Sequence, residues 1–138
     1  MSLNDCVESN VYMGTPFTLK FPVVDDILDR IKSLRGECLL YKVDLKRAFR
    51  QLKIDPRDTL FTGLHFDSKY FIDLSVPFGY KHGSALCQRV TDAIRYIMHS
   101  HGYYIFNYID DLIGCDHPSI AKEGFNFLNH FTTGATFW

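Results

Sequence analysis

Asp110 and Asp111 stand side by side within Tyr103-Tyr104-Ile105-Phe106-Asn107-Tyr108-Ile109 and Leu112-Ile113-Gly114-Cys115, an aromatic and β-branched run that reads as buried strand. Carboxylates rarely enter such a run unless they are paired or hold a metal. A hairpin turn explains one of them, because Asp is a favoured turn residue. It explains two less well, since adjacent like charges repel and a divalent cation relieves the repulsion most directly. On this stretch alone, turn and metal site both stand. A third carboxylate, Asp44, lies between the apolar Val43 and Leu45, at the head of Lys46-Arg47-Ala48-Phe49-Arg50-Gln51. Local sequence allows it to be the N-cap of a short helix. Other chemistry has little support. His99 and His101 are two apart on a helical stretch and do not share a face. Cys6, Cys38, Cys87 and Cys115 are far apart with no CxxC pair, which favours reduced thiols in an intracellular protein over zinc or disulfides. GxSxG and HExxH are absent from the sequence.

The acids need elements to position them. Val24, Ile27, Leu28, Ile31 and Leu34 recur at helical spacing after Pro22, with Asp25 and Asp26 in the first turn and Gly36 as a stop. Leu39–Val43 reads as a strand ending at Asp44. Leu60 to Phe66 and Tyr70 to Leu74 read as a hairpin around Asp67-Ser68-Lys69. After a glycine-rich loop, Ser84 opens the strongest helix, with Leu86, Cys87, Val90, Ala93, Ile94, Ile97 and Met98 as its apolar stripe and Gly102 as its C′ residue. The Asp-Asp strand pair follows, then a weaker helix from about Pro118 to Phe131 that contains Gly124. Residues 1–21 read as an irregular or partly extended arm, and Thr132 to Trp138 as non-helical. This order predicts an α+β fold, an antiparallel sheet backed by helices in a split βαβ arrangement. Such a sheet would bring Asp44 beside Asp110 and Asp111. Three carboxylates there can hold two Mg²⁺ ions ~4 Å apart, as phosphoryl transfer requires.

Composition sets wider bounds. A chain of 138 residues with 46% hydrophobic and 22% charged residues suits one globular domain. No apolar run reaches the ~20 residues that cross a bilayer, and the polar start is not a signal peptide; no membrane partner is expected. The net charge of −1 lacks the basic footprint of a complete nucleic-acid-binding domain. Nine of the fifteen Lys and Arg nonetheless lie between Arg30 and Arg57. That cluster is either a phosphate-facing surface or a solvated face.

Three stretches then occur in order: Asp44-Leu45-Lys46-Arg47-Ala48-Phe49-Arg50-Gln51-Leu52, Pro77-Phe78-Gly79-Tyr80-Lys81-His82-Gly83-Ser84, and Tyr108-Ile109-Asp110-Asp111. Together they resemble the first three motifs of a reverse transcriptase palm, most closely those of retrotransposons, where DLxxAF/Y, PFG and YxDD recur. Asn4-Asp5 and Phe21-Pro22-Val23-Val24-Asp25-Asp26 resemble the tyrosine-recombinase class of these elements. The resemblance covers roughly residues 1 to 128. It implies a polymerase palm-like fold and RNA-directed DNA synthesis by two-metal nucleotidyl transfer. Its implied partners are an RNA or DNA template-primer, deoxynucleoside triphosphates and the remainder of a retroelement polyprotein. Asp44 and Asp110 would hold two Mg²⁺ (or Mn²⁺) ions, Asp111 would complete the cluster, and the Leu45 carbonyl would be a further ligand. Arg47 and Ala48 would border the triphosphate, and Phe49 would be the steric gate under the sugar unless it is simply packed in the core. Phe78 and Gly79 would shape the floor under the new base pair, and Tyr108 would lie near the primer end. The resemblance also implies that residues 1–138 are a palm-centred partial domain, with most of the fingers and all of the thumb outside it. Two other classes stay open: a non-catalytic nucleic-acid-binding module or inactive retroelement remnant, and an unrelated two-metal nucleotidyltransferase or cyclase.

Overall fold

The computed structural model describes residues 3–7, 11–12, 14–16 and 18–134. A 3₁₀ turn (Leu3–Cys6) is followed by β1 (Val11–Tyr12), β2 (Thr15–Pro16), α1 (Val24–Ser33), β3 (Leu39–Asp44) and the short α2 (Ala48–Gln51). A second 3₁₀ turn (Thr59–Thr62) leads into β4 (Gly63–Phe66) and β5 (Lys69–Ile72). Then come α3 (Gly83–Ser100), β6 (Ile105–Tyr108), β7 (Asp111–Asp116) and α4 (Pro118–Gly134). The expected α+β class with antiparallel pairing is observed. By its contacts the chain gathers into two compact units. Of the described residues, one takes in 20–46 and 88–134, the other 47–87 with those before residue 20.

The first unit holds the sheet β3-β7-β6, antiparallel throughout. Its register sets Leu39 against Asp116, Tyr41 against Gly114 and Asp44 against Asp111. Side chains alternate across a strand, so Tyr41 and Val43 share one face while Lys42 and Asp44 share the other. Helix α4 packs on β3 and β7. Met98, Ile105, Leu112 and Leu128 have no exposed surface, and each such burial contributes about 1.5–3 kcal/mol. Gly114 and Gly124 let Tyr41 into this layer. A Cβ on Gly114 would lie 2.0 Å from Tyr41 Cζ, and one on Gly124 would lie 2.8 Å from both Tyr41 Oη and Tyr103 Cδ1. The glycine that weakens α4 as a sequence pattern is therefore the place where the helix approaches two tyrosines.

The Tyr41 hydroxyl donates to Asp116 Oδ2 at 2.8 Å. Burial, reinforced by that hydrogen bond, pushes the tyrosine's pKa well above its ordinary value. Asp116 has no exposed surface. It also accepts the Tyr104 amide at 2.9 Å and lies 3.5 Å from the Arg30 guanidinium. Arg30 additionally donates to the Cys115 carbonyl and covers the Tyr104 ring. It thus ties α1 to β7 as well as suiting the α1 dipole. Asp26 accepts the Val23 amide at the helix start. Gly36, at φ 80°, closes the C-terminus by donating to the Ile31 carbonyl.

The second unit carries its pairings within itself. Residues 52–54 bond to 74–76 through Ile54 N–H to the Leu74 carbonyl, Val76 N–H to the Leu52 carbonyl and the Lys53–Ser75 bridge. Arg50 pairs with Asp73 through one nitrogen, Nη1, which donates to both carboxylate oxygens. Strands β4 and β5 pair through a turn at Asp67-Ser68, both at positive φ, and every residue of the two strands is exposed.

Several boundaries differ from the sequence reading: the second hairpin strand is Lys69–Ile72 and not Tyr70–Leu74, and α3 opens at Gly83, one residue before Ser84. The first strand of this hairpin begins at Gly63, because Thr59–Thr62 form a 3₁₀ turn fastened by Thr62 Oγ1 to the Asp73 backbone. Helix α4 runs on through Thr132 to Gly134; residues 135–138 lie outside the described chain. Asp44 is not an N-cap. It is the last residue of β3, and the helix starts after Arg47, which is left-handed at φ 57°. Within the arm expected over residues 1–21, the described residues 11–12 and 15–16 are extended, as β1 and β2.

Candidate active site

The Asp110-Asp111 stretch is a tight hairpin. Tyr108 pairs with Asp111, leaving Ile109 and Asp110 as the turn. Ile109 has φ 54°, a left-handed conformation that costs a β-branched residue about 1–2 kcal/mol. Two hydrogen bonds hold the turn. The Ile109 amide donates to Gln88 Oε1 at 2.8 Å, and the Leu45 amide donates to the Asp110 carbonyl at 3.0 Å. Leu45 is buried, so the chain just after β3 is anchored to the acidic turn.

Gln88 belongs to a polar network on α3. Its Nε2 donates to the Asn107 carbonyl and to Asp92 Oδ1, each at 3.3 Å. Asn107 Nδ2 donates to Thr91 Oγ1 and Asp92 Oδ1, each at 2.9 Å. Gln88, Thr91 and Asn107 are buried. Buried polar groups stay favourable only while they are satisfied. This network therefore fixes one helix face, one strand and the strained turn together.

The carboxylates sit at one end of the sheet. Asp44 and Asp111 are cross-strand partners on the same face, and Asp110 precedes Asp111 in the turn. Asp44 is exposed, and Asp110 and Asp111 are partly so. Lys42 Nζ meets Asp111 Oδ1 at 2.9 Å. The bond to Asp111, aided by the charges of Asp44 and Asp110, raises the lysine's pKa against a smaller opposing effect of desolvation. Among the described residues, no group of three or more His, Cys, Asp or Glu side chains is gathered closely enough to hold a metal ion. The structure thus brings Asp44 and Asp111 face to face and sets Asp110 beside them, with a lysine as their cation. Tyr108 is exposed at the same end, its ring 4.7 Å from that of Phe21.

The other expected site residues belong to the second unit. The Phe49 and Phe78 ring centroids lie 6.3 Å apart. Phe49 is half-buried, and its ring is what a Cβ on Gly83 would meet, at 3.3 Å. Phe78 is exposed and Ala48 buried. Gly79 has φ 81°. Asn4 brackets this loop, donating to the Gly79 carbonyl at 2.7 Å and accepting the Lys81 amide at 2.8 Å. The sequence reading gave Asn4 no such part.

A family model described as reverse transcriptase (RNA-dependent DNA polymerase) matches residues 4–136. The chain belongs to the reverse transcriptase family. No curated protein matches it. In this reverse transcriptase chain the matched span contains every candidate residue, from Asp44 to Asp111. No described helix is long and apolar enough to cross a membrane. The sequence carries a signal for the polar network as well. Gln88, Thr91 and Asp92 stand at i, i+3 and i+4 on α3, and Asn107 breaks the apolar Ile105-Phe106 run. Polar residues repeating at helical spacing, matched by one polar residue in a buried strand, mark an internal hydrogen-bond network.

Proposed function

We propose that this chain forms the catalytic palm of a retroelement polymerase that performs RNA-directed DNA synthesis. The observation that carries the reading is the cross-strand pair Asp44–Asp111, with Asp110 in the adjoining turn. The donor chemistry suits a divalent cation: hard carboxylate oxygens on an accessible sheet end, where the Lys42 ammonium already stands in as the positive charge. Asp44, Asp110, Asp111 and the Leu45 carbonyl would hold two Mg²⁺ or Mn²⁺ ions. Bound there, the ions would supply Lewis acidity to the attacking oxygen and to the leaving phosphate.

The chain's own residues do the positioning. Gln88 and Leu45 hold the backbone of the turn that carries Asp110. Tyr108, exposed beside them, is assigned to the primer end. In the second unit the assignments rest on resemblance. Arg47 and Ala48 go to the triphosphate, Phe49 to exclusion of a ribose 2′-hydroxyl, and Phe78 with Gly79 to the new base pair. The substrates are deoxynucleoside triphosphates on an RNA or DNA template-primer. The working setting is a longer intracellular retroelement polyprotein, of which residues 1–138 are a palm-centred part.

Primer extension on an RNA template tests the reading, using a complete polymerase that carries these 138 residues. Asp44→Asn and Asp110→Asn should each abolish extension while leaving the melting temperature nearly unchanged. Extension that survives both substitutions would remove the acids from catalysis. Template binding that persists in both variants and in chelator, without any extension by the unaltered protein, would favour a binding module.

A further inference from the structure

Lys42 stands two residues before Asp44 on β3 and on the same face. Its direct partner across the sheet is Ile113, while Asp44 faces Asp111. Lys42 therefore reaches diagonally to Asp111, where Nζ and Oδ1 meet at 2.9 Å. The two side chains are 59% and 36% exposed, so the pair is open to solvent and easily exchanged. An ammonium held on Oδ1 takes one of the carboxylate's lone-pair directions and repels an approaching cation, so a metal ion has to compete with it. A lysine on a flexible four-carbon stem can leave it without disturbing the backbone. The described carboxylates also fall short of a three-ligand group in the arrangement that contains this pair.

We propose that Lys42 is a tethered counter-ion for Asp111, competing with divalent cations for the acidic end of the sheet and displaced when one binds. The inference rests on the metal-holding role proposed above for Asp44, Asp110 and Asp111. In the absence of metal, Lys42 offsets the repulsion among three neighbouring carboxylates and keeps the hairpin end from splaying. When a divalent ion arrives, Asp111 exchanges a single ammonium for a doubly charged partner and Lys42 swings into solvent. The lysine thus sets the metal concentration at which the site fills. An exposed ion pair is a weak competitor, which makes the threshold adjustable and not prohibitive.

Isothermal titration with Mn²⁺ tests this on the full chain, comparing the unaltered protein with Lys42→Gln and Lys42→Arg, with melting temperatures taken in chelator and in Mn²⁺. Loss of a weak exposed pair and of one nearby positive charge should tighten Mn²⁺ binding of Lys42→Gln about threefold to tenfold, while Lys42→Arg stays close to the unaltered protein. Lys42→Gln should also melt lower in chelator and gain more from Mn²⁺, because ligand binding stabilises by mass action. Equal Mn²⁺ affinity in the unaltered protein and Lys42→Gln would overturn the counter-ion role and leave the metal site standing. Weaker binding by Lys42→Gln would overturn it too, by showing that the lysine helps the site. No binding by any of the three would remove the metal site, and the proposal with it.

Discussion

Replacing Gln88 with leucine keeps most of the side chain's volume and removes all of its hydrogen bonds. The Ile109 amide, now bonded to Gln88 Oε1 at 2.8 Å, would lose its acceptor. The Asn107 carbonyl and Asp92 Oδ1 would each lose a donor at 3.3 Å. Leaving a buried donor or acceptor unmade costs about 1–3 kcal/mol. The short bond to Ile109 belongs at the upper end of that range and the longer one to the Asn107 carbonyl at the lower end. Asp92 Oδ1 keeps its Asn107 Nδ2 bond and its Arg95 ion pair on a side chain 43% exposed, so it adds little. Leucine recovers part of this through apolar burial, for a net loss of about 2–4 kcal/mol. For a chain of this size that lowers the melting temperature by roughly 10 °C. The turn should respond more sharply still, because Ile109 is held at φ 54° and the constraint on it is gone. Amide hydrogen exchange read at Ile109 is the assay. Protection there should drop more than at Leu112, which sits inside the ladder. Gln88→Glu separates the two effects: it keeps an acceptor for Ile109 and loses the donors, so it should melt lower while retaining turn protection. If Gln88→Leu melts within about 1 °C of the unaltered protein, or if Ile109 exchange is unchanged, the network does not hold the turn.

Gly114→Ala places a Cβ 2.0 Å from Tyr41 Cζ, beyond ordinary overpacking of about 1–3 kcal/mol; a large drop in urea midpoint is expected, partly relieved by adding Tyr41→Ala. The Arg50 guanidinium holds the Asp73 carboxyl below its ordinary 3.8. The pair's stabilisation is therefore present above that pH and lost as pH falls through the lower native value. Urea melts from pH 5 to 2 should show this acid loss, with a shallower limb in Arg50→Gln; half-exposure of the arginine keeps the effect near about 1 kcal/mol or less. Burial, followed by the neighbouring Cys38 thiol, pushes Cys115 up from 9.0 to about 11. The native state thus favours the neutral thiol, and stability present below pH 9.0 is lost as pH rises through about 11. Alkylation at pH 8.5 read by mass spectrometry should modify Cys38, which is partly exposed, and spare Cys115, which is buried.

The parts of the fold legible in the sequence are those set by a single strong local signal. Apolar spacing with Asp25, Asp26 and Gly36 defined α1. The break in an apolar run at Asp110-Asp111 defined the β6–β7 hairpin. Asp44 was harder, because strand end and N-cap look alike until the register is known. Only the pairing of Asp44 with Asp111 shows that the carboxylate continues the strand. Lys42 was legible as a charge and not as a partner, since a diagonal contact across a sheet leaves no trace in linear spacing. Asp116 read as one more acidic residue, although it is fully buried under Tyr41, Arg30 and the Tyr104 amide. Gly124 read as a weakness for the same reason: the tyrosines that need its bare backbone are distant in sequence.

The seat of Tyr41 on Gly114 has a consequence for how the acidic pair is specified. A β-ladder can slide, and a slip of one residue turns every side chain to the opposite face. Here sliding is checked by a key and slot: a large ring on β3 and the one position of β7 without a side chain. Moving β3 one step either way would drive that ring onto Ile113 or Cys115. It would also carry Asp44 out of line with Asp111. The alignment of the carboxylates is thus encoded at a distance, by a residue that carries no charge and touches no ligand. A side chain filling the slot at position 114 would break this alignment while every acid stayed in place.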